Sequence, residues 1–222
     1  MSAYLYEITG WAGTPKGGRA WVETALMPVL PKDKGLRVDL YLAADSLYGD
    51  PGPAFMVMLG FPDRATAETV MGAPAMVQLL EAAAMPLQLK GDFMDVRRCE
   101  INGIAADDLS GDFSFVVRYY LPANNVAEFQ EYYQRVHPVI LAEFEGIRNI
   151  LCNIPETLAG APRIPGSNYL IGNQVMFDDV PAFEYANETE VGPRAMADVA
   201  TFPKFSDHSV HYPMIRTRLL DR

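Results

Sequence analysis

The feature that most limits the folds open to this chain is an internal repetition. Met27-Pro28-Val29-Leu30 is echoed by His137-Pro138-Val139-Ile140, and Gly35-Leu36-Arg37 by Gly146-Ile147-Arg148. Phe61-Pro62-Asp63 is echoed by Phe177-Asp178-Asp179, and Met71-Gly72-Ala73-Pro74-Ala75-Met76 by Val191-Gly192-Pro193-Arg194-Ala195-Met196. The offset is about 110 to 120 and grows along the chain, as small loop insertions would make it. Four matches in one order imply a duplicated unit, residues 1–104 and 112–222.

Periodicity supplies the content of each unit. Residues 3–11 alternate as a strand, and 13–18 read as a turn or loop before a helix over 19–30. Strands follow over 36–42 and 54–61, then a helix over 63–84 broken at Pro74, then a strand over 93–101. The order β-α-β-β-α-β then recurs after a short polar linker at 102–111. Strands are expected over 112–121, 147–154, 168–177 and 208–219, and a helix over 179–201 interrupted near Gly192-Pro193. The first helix of the second unit is the clearest, because Val126, Phe129, Tyr133, Val136, Ile140 and Phe144 form one apolar stripe. Asn124 or Asn125 would cap it, and Pro138 should kink or loosen it at His137. The expected class is therefore α+β: two ferredoxin-like repeats whose antiparallel sheets pack into an α+β barrel, with a pocket between the sheets.

Alternation also assigns faces. Phe113, Phe115, Val117 and Leu121 would face their helices, leaving Ser114, Val116, Arg118 and Tyr120 for the interior. Leu5, Glu7, Thr9 and Trp11 would point inward from the first strand, and Gln174 and Met176 from the seventh. In the last strand His208, Tyr212 and Arg216 share one face and His211 the other, and the sequence leaves open which set looks inward.

Composition excludes several partners. The formal charge is −10, which disfavours nucleic acid and an anionic membrane surface. No apolar run approaches a bilayer span, and the N-terminus does not read as a secretory signal, so a cytoplasmic protein is expected. Two cysteines make no disulfide framework, and three histidines without metal spacing give no metal site. No phosphate-binding glycine loop or nucleophile elbow is present.

With these residues in place, the chain resembles the dimeric α+β barrel superfamily, and its second half resembles the EthD-type domains. The residues that carry the likeness are Tyr132, Tyr133, His137, Pro138, Gly146, Ile147 and Arg148. The domain signature usually has one residue between His and Pro, and here there is none. The likeness implies a histidine pointing into the barrel. Met27 at the matching place in the first half implies one working pocket and one degenerate half. The superfamily includes cofactor-free monooxygenases, cyclases, isomerases and haem-handling enzymes. It usually pairs single units, so a homodimer is one expectation and internal closure as a monomer the other.

The chemistry expected of such a pocket starts from a neutral imidazole, which exchanges protons at cellular pH. His137 would take a proton from a hydrophobic aromatic or polyketide-like molecule, with Arg118 or Tyr120 stabilising the resulting oxyanion. Tyr133, Trp11, Glu7, Gln174, Met176, His208 and Tyr212 would line the substrate. The leading expectation is a cofactor-free lyase, isomerase, cyclase or dehydratase. The alternatives are a haem protein with His137 as axial ligand, a cofactor-free monooxygenase, and a non-catalytic binder of hydrophobic ligands.

Overall fold

The computed structural model describes residues 3–32, 34–105 and 110–221. The first half runs β1 (Tyr4–Gly10), α1 (Pro15–Trp21), a π-helical turn (Val22–Leu26), α2 (Met27–Val29), β2 (Arg37–Ala43), β3 (Phe55–Phe61), α3 (Arg64–Met71), α4 (Pro74–Leu87) and β4 (Leu89–Arg98). A small hairpin, β5 (Glu100–Ile101) and β6 (Ile104–Ala105), follows; the rest of the expected linker, 106–109, lies outside the described residues. The second half runs β7 (Phe113–Tyr120), α5 (Val126–Leu141), β8 (Asn149–Glu156), β9 (Tyr169–Phe177), α6 (Val180–Glu188), α7 (Val191–Val199) and β10 (Ser209–Asp221).

Local chemistry sets most of these boundaries. Asp63, Asn125 and Asp179 cap α3, α5 and α6 by accepting from the backbone N–H three residues on. Thr14 caps α1 in the same way and Pro15 opens it, so the segment 13–18 expected as a loop is half helical. The break between α6 and α7 falls before Gly192-Pro193, which lie inside α7. The loosening expected at His137 is absent, because α5 continues through Pro138 to Leu141.

Among the described residues, eight strands close into one antiparallel barrel in the order β1-β3-β2-β10-β7-β9-β8-β4. The halves join edge to edge, β2 on β10 and β4 on β8, so neither sheet keeps a free edge. Helices cover the outside. Strands such as β3, buried along all of Phe55–Phe61, are apolar on both faces because each face meets packed protein. Among the described residues no single helix is long and apolar enough to cross a membrane, and the α3–α4 pair is bent by 66°.

The inward and outward faces follow the alternation read from the sequence. Leu5, Tyr41, Met56, Met58, Met94, Val116, Met176, Tyr212 and Met214 form the inner core. At its centre Glu7 and Arg118, both fully buried, form an ion pair. Gln174 donates to Met58 Sδ at 3.0 Å. Side chains therefore fill the barrel. Its inner hollow, lined by Arg37, Asp39, Tyr41 and Gln174, has a volume of about 30 Å³, room for no more than a little water. Among the described residues, the pocket expected between the two sheets is reduced to this small hollow.

Removing one member of a buried ion pair strands the other charge, at a cost of about 3–5 kcal/mol. Glu7→Gln and Arg118→Met should each lower unfolding free energy by that order in denaturant titrations. The Glu7→Leu/Arg118→Met double variant should recover most of the loss. Equal stability of the single variants and wild type would show that the pair does not organise the barrel.

Candidate functional site

Space for a ligand lies instead outside the barrel, between the second half of the sheet and its helices. β7 gives the floor Phe115, Val117 and Tyr119, β9 gives Asn173 and Val175, and β10 gives His211. α6 and α7 form the roof with Phe183, Asn187, Ala195, Met196 and Val199, while α5 closes one end with His137 and Leu141. The enclosed part holds about 80 Å³. It adjoins a wider mouth of about 460 Å³ bounded by Tyr48, Asp50, Pro193, Met196 and His211.

Around α1 and α2 the matching layer of the first half is closely packed. Phe55 lies so close to Gly10 and Gly18 that a Cβ on either would stand 2.1 Å or 2.3 Å from its ring. Trp21 and Met27 pack on the same cluster. Met27 therefore fills space where the second half keeps a histidine and a hollow.

His137 is 6% exposed and buried among aromatic rings, with Tyr133 at 5.0 Å and Phe202 edge-on at 5.3 Å between centroids. Its Nδ1 lies 2.9 Å from Asp198 Oδ2. Asp198, on α7, also accepts from Thr201 Oγ1 at 3.1 Å. A carboxylate at Nδ1 fixes the proton there, so Nε2 is the ring's basic atom. Burial pushes the His137 pKa below its ordinary 6.5, and the Asp198 hydrogen bond and charge oppose that shift only in part. The ring is thus a neutral base at pH 7. His211, across the same cavity, is also lowered by burial, with Asp50 opposing; its Nδ1 is 3.7 Å from Asp50 Oδ2.

This geometry divides the residues grouped from the sequence. Arg118, Tyr120, Glu7, Gln174, Met176 and Tyr212 lie on the inner side of the sheet, with Trp11 and His208 at a barrel mouth. Trp11 meets Tyr212 edge-on at 6.1 Å, and His208 stacks on Tyr120 at 4.3 Å. His137 and Tyr133 lie on the outer side. The expectation that His137 points into the barrel is therefore overturned, since α5 packs on the outer face of β8 and β9. Arg118 and Tyr120 are separated from it by the sheet itself and do not serve an oxyanion formed at His137. Arg118 is committed elsewhere: besides Glu7, its Nη1 donates to the carbonyls of Val117 at 2.8 Å and Asn173 at 3.2 Å. Tyr133 is fully buried beneath the pocket against Tyr119.

Sequence reasoning missed Asp198, Asp50 and Asn173, and left His211 undecided. Asn173 had a usable signal: it is a polar residue at a helix-facing strand position between apolar Ile171 and Val175. Asp198 stands 61 positions from His137 and had none. Among the described residues, no group of three His, Cys, Asp or Glu side chains could hold a metal ion.

Replacing Asp198 by Asn removes the charge that favours the imidazolium, so the His137 pKa should fall further. A titration of the imidazole ¹⁵N shifts reads this, and an unchanged or raised value would show that the pair does not govern the ring.

No family model matches the sequence, and no curated protein matches it. Solved structures do share its architecture. An anthrone oxidase-like protein matches with a TM-score of 0.63 at 12% identity, over 98% of this chain and 95% of that one. A protein provisionally assigned as a monooxygenase from Lactobacillus acidophilus NCFM matches at 0.56 and 8% identity, over 97% and 95%. A chlorite dismutase variant from Candidatus Nitrospira defluvii matches at 0.50 and 10% identity, over 96% and 91%. At these identities the likeness shows the fold, a ferredoxin-like α+β barrel.

Proposed function

We propose that the chain is a cofactor-independent oxygenase acting on a small aromatic molecule in the pocket of its second half. The observation that carries this reading is the 2.9 Å His137–Asp198 contact at the closed end of a mostly apolar cavity. A neutral imidazole backed by a carboxylate, in a site lined by Phe115, Phe183 and Val175, is built to take a proton from an apolar substrate.

The chemistry needs no more than the substrate and O₂. A CH₂ group conjugated with an aryl ring and a carbonyl loses one proton to His137 Nε2. The electron-rich anion then adds O₂ at that carbon and supplies the two electrons. The proton returns to the distal oxygen, giving a hydroperoxide, and loss of water leaves a carbonyl. Overall, CH₂ and O₂ become C=O and H₂O. His211 and Asp50, at the wide mouth, offer a second imidazole for the second C–H proton. The barrel is shared with an anthrone oxidase-like protein and a provisionally assigned monooxygenase. That supports oxygen chemistry over the lyase or isomerase reading of the same proton transfer.

A haem protein fits the site less well. An axial role would require a tetrapyrrole face laid over Nε2 at the closed end. The enclosed space there, about 80 Å³, is far too small for a tetrapyrrole, whereas a small aromatic needs only its edge at the ring, with its body in the adjoining mouth of about 460 Å³. Haem added to the protein should give no Soret band of a bound complex, and a ligated spectrum lost in His137→Ala would reverse that assessment.

Oxygen uptake with a hydroxylated anthrone as probe tests the main reading. His137→Gln should slow it by about 10²–10⁴-fold, the usual contribution of a general base. Because burial lowers the His137 pKa, the wild-type rate should hold at pH 7 and fall only as pH drops below the ordinary imidazole value of 6.5. A fully active His137→Gln overturns the role. Substrate conversion without O₂ uptake would return the chain to the lyase and isomerase class.

A further inference from the structure

Asn173 is 1% exposed and lines the pocket floor, yet its Nδ2 is buried without a hydrogen-bond partner. A buried amide nitrogen left unpaired costs about 1–3 kcal/mol, and such exceptions need a reason. The Cys152 thiol, its partner in the β8–β9 ladder, lies within reach of the amide as a weak acceptor, and also meets Cys99 Sγ at 3.7 Å. A half-turn of the carboxamide would let that thiol donate to Oδ1 and turn Nδ2 to the pocket. The amide then lacks only a ligand oxygen.

Its position is also held from behind. Arg118 Nη1 reaches through from the barrel side to the Asn173 carbonyl at 3.2 Å, while also bonding the Val117 carbonyl opposite. Gly172 makes room for this, since a Cβ there would stand 2.8 Å from Arg118 Nη1. Among the described residues no Lys or Arg lines the pocket, and on its floor the Tyr119 hydroxyl is engaged with Tyr133, so the Asn173 amide is the donor the floor leaves for an anion.

We infer that Asn173 is the docking point for an oxygen of the substrate, and that the substrate class is an aromatic bearing an ionisable hydroxyl or enolisable carbonyl. The inference rests on the reading of this pocket as the active site. The Asn173 amide donates to the phenolate or enolate oxygen and stabilises the charge left when His137 takes the proton. Arg118, through its bonds to the rung carrying Asn173, is a positioning residue.

Two probes of matched shape test it: p-nitrophenol, whose visible band appears only in the phenolate, and p-nitrotoluene, which lacks the hydroxyl. Both should bind the wild type at pH 7. Asn173→Leu should weaken p-nitrophenol by roughly ten-fold or more, the worth of a hydrogen bond to a charged group, and leave p-nitrotoluene within a few-fold. Asn173→Asp, nearly the same size, should bind p-nitrophenol only in its colourless neutral form, which keeps the test open if the Leu variant fails to fold. Equal loss of both probes, or of neither, overturns the role of Asn173 and leaves the pocket standing. A wild type that binds neither probe, or binding unchanged when Met196→Trp plugs the mouth, overturns the pocket itself and with it the proposed function.

Discussion

Closure of the barrel is the constraint on which the rest of the molecule depends. Eight strands satisfy one another's backbone groups around a full circle, with the two halves sealed at the β2–β10 and β4–β8 seams. A circle of this size leaves an interior just wide enough for side chains. Here methionines, tyrosines and the Glu7–Arg118 pair take that space. A buried charge pair needs its neighbours fixed, because loss of either partner leaves an uncompensated ion. The interior is thus a core, and the larger hollow beside His137 and His211 lies in the helical layer outside.

The helical layers differ in what fills them. In the first half Phe55 occupies the spaces opened by Gly10 and Gly18, and Trp21 and Met27 complete the packing. In the second half the floor residues Phe115, Val117 and Val175 leave a hollow that the roof of α6 and α7 spans without filling. Two histidines border that hollow, each with an aspartate beside it. Burial favours the neutral form of both imidazoles, which is the state proton abstraction requires.

The sheet separates two sets of polar residues while linking them mechanically. Arg118 belongs to the inner set by its charge pair, yet its hydrogen bonds to the Val117 and Asn173 carbonyls stiffen the pocket floor. A residue that reads from the sequence as a catalytic cation instead braces the backbone beneath the pocket. That relation explains why the strand carrying Asn173 has glycine next to it at 172.

Much of the architecture was written in the chain's periodicities. Alternation placed Glu7, Arg118, Gln174 and Met176 inside and Phe113, Phe115 and Val117 outside, because successive strand side chains must take opposite faces. The apolar stripe of 126–144 located α5, and the order of elements pointed to an α+β fold with a closed antiparallel barrel. Tertiary structure alone decided where the hollow lies, which side of the sheet His137 faces, and that Asp198, 61 residues away, meets its Nδ1. Those outcomes depend on how volumes left by distant side chains add up across a closed surface. A local pattern tells a residue which way to point, and only the packed whole tells it what it will find there.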